Sequence, residues 1–162
     1  MDQPTPIDQQ IITRPATLED LDTLFRFEQG VIAAERPLDP TLKKGDIHYY
    51  NLTEMITAPH IELVVALLGD EVVGSGYARI EDSKHFYQHA QHAYLGFMYV
   101  SPEHRGKGVN QKIIEALKQW AIGQNMTEMR LEVYKDNLPA IKAYEKVGFT
   151  QDLVHMRMSL DK

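Results

Sequence analysis

The chain of 162 residues contains no cysteine. This absence excludes a disulfide framework, a thiolate zinc site and a cysteine nucleophile. Long apolar runs are also missing, because the longest, residues 63–68, is far below the about 20 residues that a membrane-spanning helix needs. Residues 1–10 lack the basic and apolar regions of a secretory signal. We therefore expect a soluble protein of the cytoplasm that has no membrane partner.

Basic residues are in the minority. The chain has 17 Lys and Arg against 23 Asp and Glu, which gives a formal net charge of −6. A nucleic-acid-binding protein normally shows a basic excess or a basic stripe, so we expect no nucleic-acid partner. The compact basic cluster of His104, Arg105 and Lys107 has the size to hold one small anionic ligand. An acidic body suits a cationic or amine substrate.

Hydrophobic periodicity and turn residues divide the chain into alternating strands and helices. The predicted elements are a strand at 10–14, helices at 17–29 and 52–57, a hairpin of strands 61–68 and 71–80, a strand at 93–100, a helix at 108–123, a strand at 128–134, a helix at 137–148 and a strand at 149–160. This order predicts an α+β fold with a single mixed, mostly antiparallel sheet flanked by helices. We expect one domain over residues 1–162, with residues 1–9 as a flexible extension.

Residues 99–110 have the pattern of a strand, a turn and the start of a helix. The free N–H groups and the dipole at a helix N-terminus favour an anion. Gly106 and Gly108 let oxygen atoms approach the backbone, and Arg105 and Lys107 add positive charge. The segment is neither a Walker loop nor a dinucleotide fingerprint, which would need glycine in place of Gln111. A phosphate cradle and a plain turn with two glycines both fit this spacing.

A second pattern lies near the C-terminus. Asn137 is placed to cap a helix, Pro139 falls in its first turn and Gly148 follows its end. Tyr144 shares a helix face with Ala140, so spacing alone favours a structural tyrosine at this position.

Taken together, the two segments resemble a known family. Arg105-x-x-Gly108-x-Asn110 resembles motif A of the GCN5-related N-acetyltransferases, in which Gly or Ala usually stands in place of Asn110. Residues 131–149 resemble the fifth strand and following helix of that family, with matches at Asn137, Ala140, Tyr144, Gly148 and Phe149. The resemblance implies an acyl-CoA N-acyltransferase-like fold and transfer of the acetyl group of acetyl-CoA to a primary amine through a tetrahedral intermediate.

The resemblance also implies roles for particular residues. The backbone of Met98, Tyr99 and Val100 would pair with the pantetheine arm, and Asn137 and Ala140 would contact the co-substrate from the other side. Tyr144 would donate a proton to the leaving thiolate. The pyrophosphate would be held by Arg105, Gly106, Lys107, Gly108, Val109 and Asn110. The acceptor would be a small-molecule amine, and homodimers are frequent in the family.

Several alternatives stay open from the sequence. Glu62, Glu81, Glu132 or a chain of water molecules would serve as the general base. Three other functions are also open: a catalytically silent acyl-CoA-binding module, a peptide or protein N-acetyltransferase, and an interaction protein without a co-substrate. The spacing of His85, His89 and His92 is compatible with a metal site or with a solvated loop. We expect no metal, because no carboxylate accompanies these histidines at fixed spacing, and the loop is then a candidate border of the acceptor pocket.

Overall fold

The computed structural model describes residues 10–161. The flexible extension predicted for residues 1–9 lies outside the described part of the chain. The chain divides into two compact units, Met1–Glu132 and Val133–Lys162, and each is described by itself.

The N-terminal unit contains one five-stranded sheet. Its strands are β1 (Ile11–Pro15), β2 (Ile61–Leu68), β3 (Glu71–Asp82), β4 (Gln91–Val100) and β5 (Met129–Leu131). They lie in chain order, and all neighbours are antiparallel except β4 and β5. This arrangement confirms the predicted mixed, mostly antiparallel sheet.

Helices cover both faces of this sheet. They are α1 (Leu21–Glu35), α2 (Leu52–Thr57) and α3 (Val109–Gly123), with short 3-10 turns at Leu18–Asp20, Arg36–Leu38 and Pro102–His104. The helices α1 and α3, which at 15 residues are the longest of residues 10–161, fall short of what a bilayer crossing requires.

One face of the sheet packs on α1 and α2. In the strand register Leu63 lies opposite Tyr77, and Tyr77 lies opposite Gly96, so their side chains share this face. Leu24 and Phe27 of α1 complete the buried cluster. Because Leu63 and Leu24 are almost fully buried, burial of apolar surface is the main force that seats α1 on the sheet.

The opposite face packs on α3, and glycines in β3 let the helix come close. A Cβ on Gly74 would lie 2.9 Å from Val109, and a Cβ on Gly76 would lie 2.7 Å from Ile113. Ile113 and Leu117 are fully buried, as the predicted apolar face of this helix requires.

The start of α1 is held by an ion pair. Arg14 at the end of β1 donates two hydrogen bonds to the Asp20 carboxylate, at 2.8 and 2.9 Å. The same carboxylate accepts from the Thr17 backbone N–H at 2.8 Å, which caps the start of the 3-10 turn that precedes α1. The helix runs to Glu35, beyond the predicted end near residue 29.

The C-terminal unit contains α4 (Leu138–Lys146). Asn137 caps it by accepting from the Ala140 N–H at 3.4 Å, and Gly148 follows it with φ +113°, as predicted. Residues 149–161 form no strand within this unit, in contrast to the predicted strand at 149–160. A strand needs a partner for its backbone groups, and the described part of this unit offers none.

Candidate functional site

The turn between β4 and α3 is shaped by two glycines with left-handed backbones. Gly106 has φ +79° and Gly108 has φ +85°, a region that side chains with a Cβ rarely adopt. A Cβ on Gly106 would meet no atom within 4 Å, and one on Gly108 would come nearest to Gln111 at 3.8 Å. The turn therefore leaves open space beside its backbone, which is what a bound oxyanion needs.

Backbone donors line this space at the start of α3. Gly108 precedes the helix and supplies no side-chain cap, and the first helical bond runs from the Lys112 N–H to the Gly108 carbonyl at 3.2 Å. The N–H groups of residues 109–111 therefore precede the helical ladder. Together with the helix dipole they form a positive end suited to a phosphate.

Side chains near the turn differ in what they offer to a ligand. Arg105 donates from Nε to the Val100 carbonyl at 3.2 Å, which anchors its guanidinium at the end of β4. Lys107 is exposed, with Nζ 3.3 Å from Nδ1 of His104. Val109 is buried against the sheet, so only its backbone N–H faces the turn, whereas Asn110 is half-buried. The predicted phosphate residues thus lie together, and Val109 offers backbone alone.

The pairing between β4 and its parallel neighbour β5 stops before β4 ends. The pairs between β4 and β5 cover Ala93–Leu95 and Met129–Leu131, and none follows in residues 10–132. Beyond Leu95 the register with β3 shifts at a β-bulge, where Phe97 has φ +54°. The backbone of residues 98–100 therefore has an edge that β5 does not pair, as an extended ligand arm would require.

The side chains of Met98 and Tyr99 are engaged in packing. Tyr99 stacks on Phe27 with ring centroids 4.7 Å apart, and Met98 Sδ would lie 2.6 Å from a Cβ on Gly76. Their backbone groups are therefore what they can offer to a co-substrate.

Polar side chains gather on the α1 and α2 face near β4 and β5. The Arg79 guanidinium lies 5.5 Å from the Tyr77 ring centroid and 5.8 Å from that of Tyr94, and it is 2.6 Å from the Glu81 carboxylate. Burial raises the pKa of both tyrosine hydroxyls, and the charge of Glu132 raises it further. Both hydroxyls therefore stay protonated at neutral pH and can donate hydrogen bonds.

The strand register separates two of the three candidate bases, Glu81 and Glu62. Glu81 lies opposite His92 on the same face as Tyr77 and Tyr94, two residues from Arg79 along β3. Glu62 alternates with Leu63 and therefore points to the α3 face. Burial raises the pKa of Glu62, but its side chain is on the wrong side of the sheet to reach the two tyrosines.

Residues 39–51 contain no helix or strand and are anchored to the end of α1, a contact that the sequence did not predict. Glu28 and Gln29 of α1, together with Arg36 just after the helix, hold this loop by bonding to backbone groups of residues 43–50. Tyr50 then packs on Phe97 with ring centroids 4.7 Å apart. The signal in the sequence was a carboxylate, Glu28, within an otherwise apolar helix stripe.

The three histidines of the loop have separate partners. Nε2 of His89 lies 2.5 Å from Glu128, and Nε2 of His92 lies 3.5 Å from Glu81. His85 contacts the ring of Phe86. Within the described chain, the group of potential metal ligands that lie close to one another is Glu71, Glu103 and His104, outside this loop. The metal site that the histidine spacing suggested is therefore not formed by these three side chains.

The remaining predicted residues belong to the C-terminal unit. The cap on α4 uses the Asn137 side-chain oxygen, so its Nδ2 group is the part that can donate to a ligand. Ala140 gives its N–H to this cap. Tyr144 is half-buried, and its ring meets that of Phe149 edge-on at 5.9 Å.

Known proteins share this fold and parts of this sequence. Over 58 residues the chain is 43% identical to streptothricin acetyltransferase from Escherichia coli, a match that covers 36% of this chain and 33% of that protein. It is 27% identical over 141 residues to an N-alpha-acetyltransferase from Saccharolobus solfataricus, which covers 84% of this chain and 78% of that one. The chain thus spans one third of the first of these relatives.

A solved structure agrees with the architecture. A predicted acetyltransferase from Clostridium acetobutylicum, crystallised with acetyl-CoA, superimposes with a TM-score of 0.72 at 17% identity, over 93% of this chain and 97% of that one. This likeness shows the fold. The sequence model of the acetyltransferase (GNAT) family matches residues 23–149, which is most of the chain and includes both the glycine turn and α4. The chain therefore belongs to the GNAT family of acetyltransferases.

Proposed function

We propose that the chain is an N-acetyltransferase that moves the acetyl group of acetyl-CoA to the primary amine of a small or amino-acid-like molecule. The observation that carries this proposal is the open glycine turn at the start of α3, next to a β4 edge that β5 leaves unpaired. A diphosphate and an extended amide-bearing arm need these two features in succession. Acetyl-CoA has both groups, and it supplies the thioester that the amine attacks.

Binding is assigned to the residues around the turn and to β4. The N–H groups of residues 109–111 and the side chains of Arg105, Lys107 and Asn110 hold the pyrophosphate. The open space beside Gly106 and Gly108 fits this group, because no Cβ fills it. The backbone of Met98, Tyr99 and Val100 pairs with the pantetheine arm, as a strand pairs with an added strand.

Catalysis is assigned to a hydrogen-bond donor that stabilises the oxyanion, a general acid and a general base. A backbone N–H of residues 98–100 stabilises the negative charge that develops on the carbonyl oxygen. Tyr144 donates its hydroxyl proton to the departing thiolate as the general acid. Asn137 contributes its Nδ2 group to the co-substrate, and Ala140 lies beside it on α4.

A carboxylate on the acceptor side removes the proton from the incoming ammonium. The candidates are Glu81, which shares a sheet face with Tyr77 and Tyr94, and Glu132, whose charge raises the pKa of both tyrosine hydroxyls. Glu62 points to the other face, which disfavours it as the base.

A small-molecule acceptor is favoured by the streptothricin acetyltransferase match and by the net charge of −6, which attracts cations. A peptide N-terminus is the second candidate. The observation that favours it is the similarity to an N-alpha-acetyltransferase over 84% of this chain.

The test is release of CoA from acetyl-CoA in the presence of separate pools of small amines, amino acids and peptides. We expect turnover with a small-amine or amino-acid pool, because the net charge of −6 favours a cationic acceptor. Turnover with peptides alone would establish the second candidate. Binding of acetyl-CoA without CoA release in any pool would contradict catalysis and indicate a silent acyl-CoA-binding module.

A further inference from the structure

The helix α1 carries one fully buried carboxylate, that of Glu28, between the buried side chains of Leu24 and Ile32. Burying a charge in an apolar core is costly unless its hydrogen bonds are satisfied. One carboxylate oxygen of Glu28, Oε2, accepts from the N–H groups of both Tyr49 and Tyr50, at 3.0 and 2.9 Å. The carboxylate therefore fixes two consecutive backbone amides that lie more than 20 residues away along the chain.

A third partner sits at the protein surface. Nδ1 of His48 lies 2.7 Å from the other Glu28 oxygen, and 62% of the His48 side chain is exposed. Because the His48 side chain is mostly in contact with water, which weakens its interaction with the carboxylate, we take the Tyr49 and Tyr50 amides as the principal partners of Glu28.

The segment that Glu28 fixes places Tyr50 on the β4 bulge. The Tyr50 ring packs on Phe97 with centroids 4.7 Å apart and meets Tyr77 edge-on at 5.9 Å. Phe97 has φ +54°, a conformation that is unfavourable for a bulky side chain and persists only where the surroundings hold it. Its carbonyl accepts from the buried Ser75 hydroxyl at 3.0 Å. The bulge is thus held both by the Ser75 hydroxyl and by the Tyr50 ring.

We propose that Glu28 is a positioning residue for acetyl transfer: by binding the Tyr49 and Tyr50 amides it seats Tyr50 on Phe97 and so fixes the bulge in β4. This inference rests on the proposed function, which assigns the backbone that follows the bulge to the co-substrate. The role needs a hydrogen-bond acceptor and no net charge. Glutamine can fill it, because its amide oxygen accepts from both N–H groups and its nitrogen faces His48.

Hydrogen exchange of the ligand-free chain tests this inference without any activity. The variants are Glu28→Leu, which removes the acceptor, and Tyr50→Leu, which removes the ring while the carboxylate remains. We expect exchange in residues 94–100 to quicken about tenfold in both, because the bulge opens more often. Exchange in residues 113–121 of α3 should change far less, since a general loss of stability would quicken both regions alike.

Two further variants serve as matched controls. Glu28→Gln keeps the acceptor, and His48→Ala removes the exposed partner alone, so both should stay within about twofold of the wild-type exchange rate. If Glu28→Leu does not fold, Glu28→Asp takes its place, because a side chain one methylene shorter does not reach both amides. Unchanged exchange in residues 94–100 of folded Glu28→Leu, Glu28→Asp or Tyr50→Leu would overturn the inference. An equal increase in the exchange rate of α3 would also overturn it.

Calorimetric titration with acetyl-CoA links the bulge to the proposed function. We expect about tenfold weaker binding in Glu28→Leu and Tyr50→Leu, and affinity close to that of the wild type in Glu28→Gln. Wild-type protein that binds no acetyl-CoA would contradict the proposed function, while the exchange data would still decide whether Glu28 holds the bulge. Wild-type binding with unchanged affinity in both leucine variants would contradict the positioning role alone.

Discussion

At the scale of single residues, the sequence identifies positions whose role depends on local backbone geometry. Gly106 and Gly108 were predicted to allow close approach of an anion, and both have left-handed backbones with open space where a Cβ would stand. Val109 shows the limit of this reasoning. The family resemblance implied contact with the co-substrate, and because the Val109 side chain lies in the core against Gly74, only its backbone N–H can make that contact. Whether a neighbour of a turn faces the ligand or the sheet depends on packing.

Tyr144 provides the residue-scale test of catalysis. We expect Tyr144→Phe to lower kcat about 100-fold and to change KM little, because the hydroxyl acts on the leaving thiolate and the ring stays in place. Steady-state kinetics with the accepted amine measures both constants. The control is Phe149→Leu, which weakens the ring contact of Tyr144 and keeps the hydroxyl, so stability should fall while kcat stays close to wild type. Equal kcat values in Tyr144→Phe and the wild type would show that the Tyr144 hydroxyl does not act in catalysis.

At the scale of elements, local signals predict the core of each helix and strand better than its ends. The hairpin of β2 and β3 follows from Gly69, which takes φ +62° in the turn, and α3 follows from its apolar face. The end of α1 and the bulge at Phe97 were not predicted. Both depend on contacts with distant parts of the chain: α1 and Arg36 just after it are bonded to residues 43–50, and the bulge is covered by Tyr50.

The cap of α4 separates a structural from a functional role of Asn137. Asn137→Ala should lower the free energy of unfolding by about 1 kcal/mol, because the Ala140 N–H loses its acceptor. Asn137→Ser keeps a capping oxygen and lacks Nδ2, so it should unfold like the wild type and still raise the KM for acetyl-CoA about fivefold. Urea titration and kinetics on the same samples measure the two effects. A wild-type KM in Asn137→Ser would mean that Asn137 is a helix cap only.

The junction of β1 and α1 should show a pH-dependent contribution to stability. The hydrogen bonds from Arg14 lower the pKa of Asp20 below its unfolded value of about 3.9. A lowered folded pKa adds stability that is present above the unfolded pKa and is lost as the pH falls through the folded pKa. We expect Asp20→Asn to unfold about 1 kcal/mol more easily than the wild type at pH 7, since the Arg14 side chain is partly exposed.

Urea unfolding across the acid range checks this sign. The difference between Asp20→Asn and the wild type should shrink as the pH falls below about 3.9. Asp22→Asn, which changes an exposed carboxylate in the first turn of α1, is the control. It should change the free energy of unfolding little at both neutral and acidic pH. A difference that stays constant with pH would show that the Asp20 charge is not responsible.

At the scale of the whole molecule, the family and the fold were within reach of the sequence, whereas the acceptor was not. The glycine turn and α4 are each formed by a short contiguous segment, so their residues can be recognised from consecutive positions in the sequence. The proposed acceptor side combines β3, β4 and β5 with the loop at 39–51, and its polar residues on β3 and β4 meet through strand register. Glu28 illustrates the difficulty, because its partners Tyr49 and Tyr50 are 21 and 22 residues away.

Titration calorimetry of acetyl-CoA against the wild type, Gly108→Glu and Gly123→Glu tests the central claim most directly. Gly123 ends the same helix α3, and a Cβ added there would meet no atom within 4 Å, so its variant adds the same charge away from the proposed cradle. Gly108→Ala accompanies them, because it adds the backbone strain of φ +85° without a carboxylate. We expect binding to the wild type and Gly123→Glu, weakened binding to Gly108→Ala, and no binding to Gly108→Glu. Unchanged affinity of folded Gly108→Glu would contradict the assignment of this turn to the co-substrate.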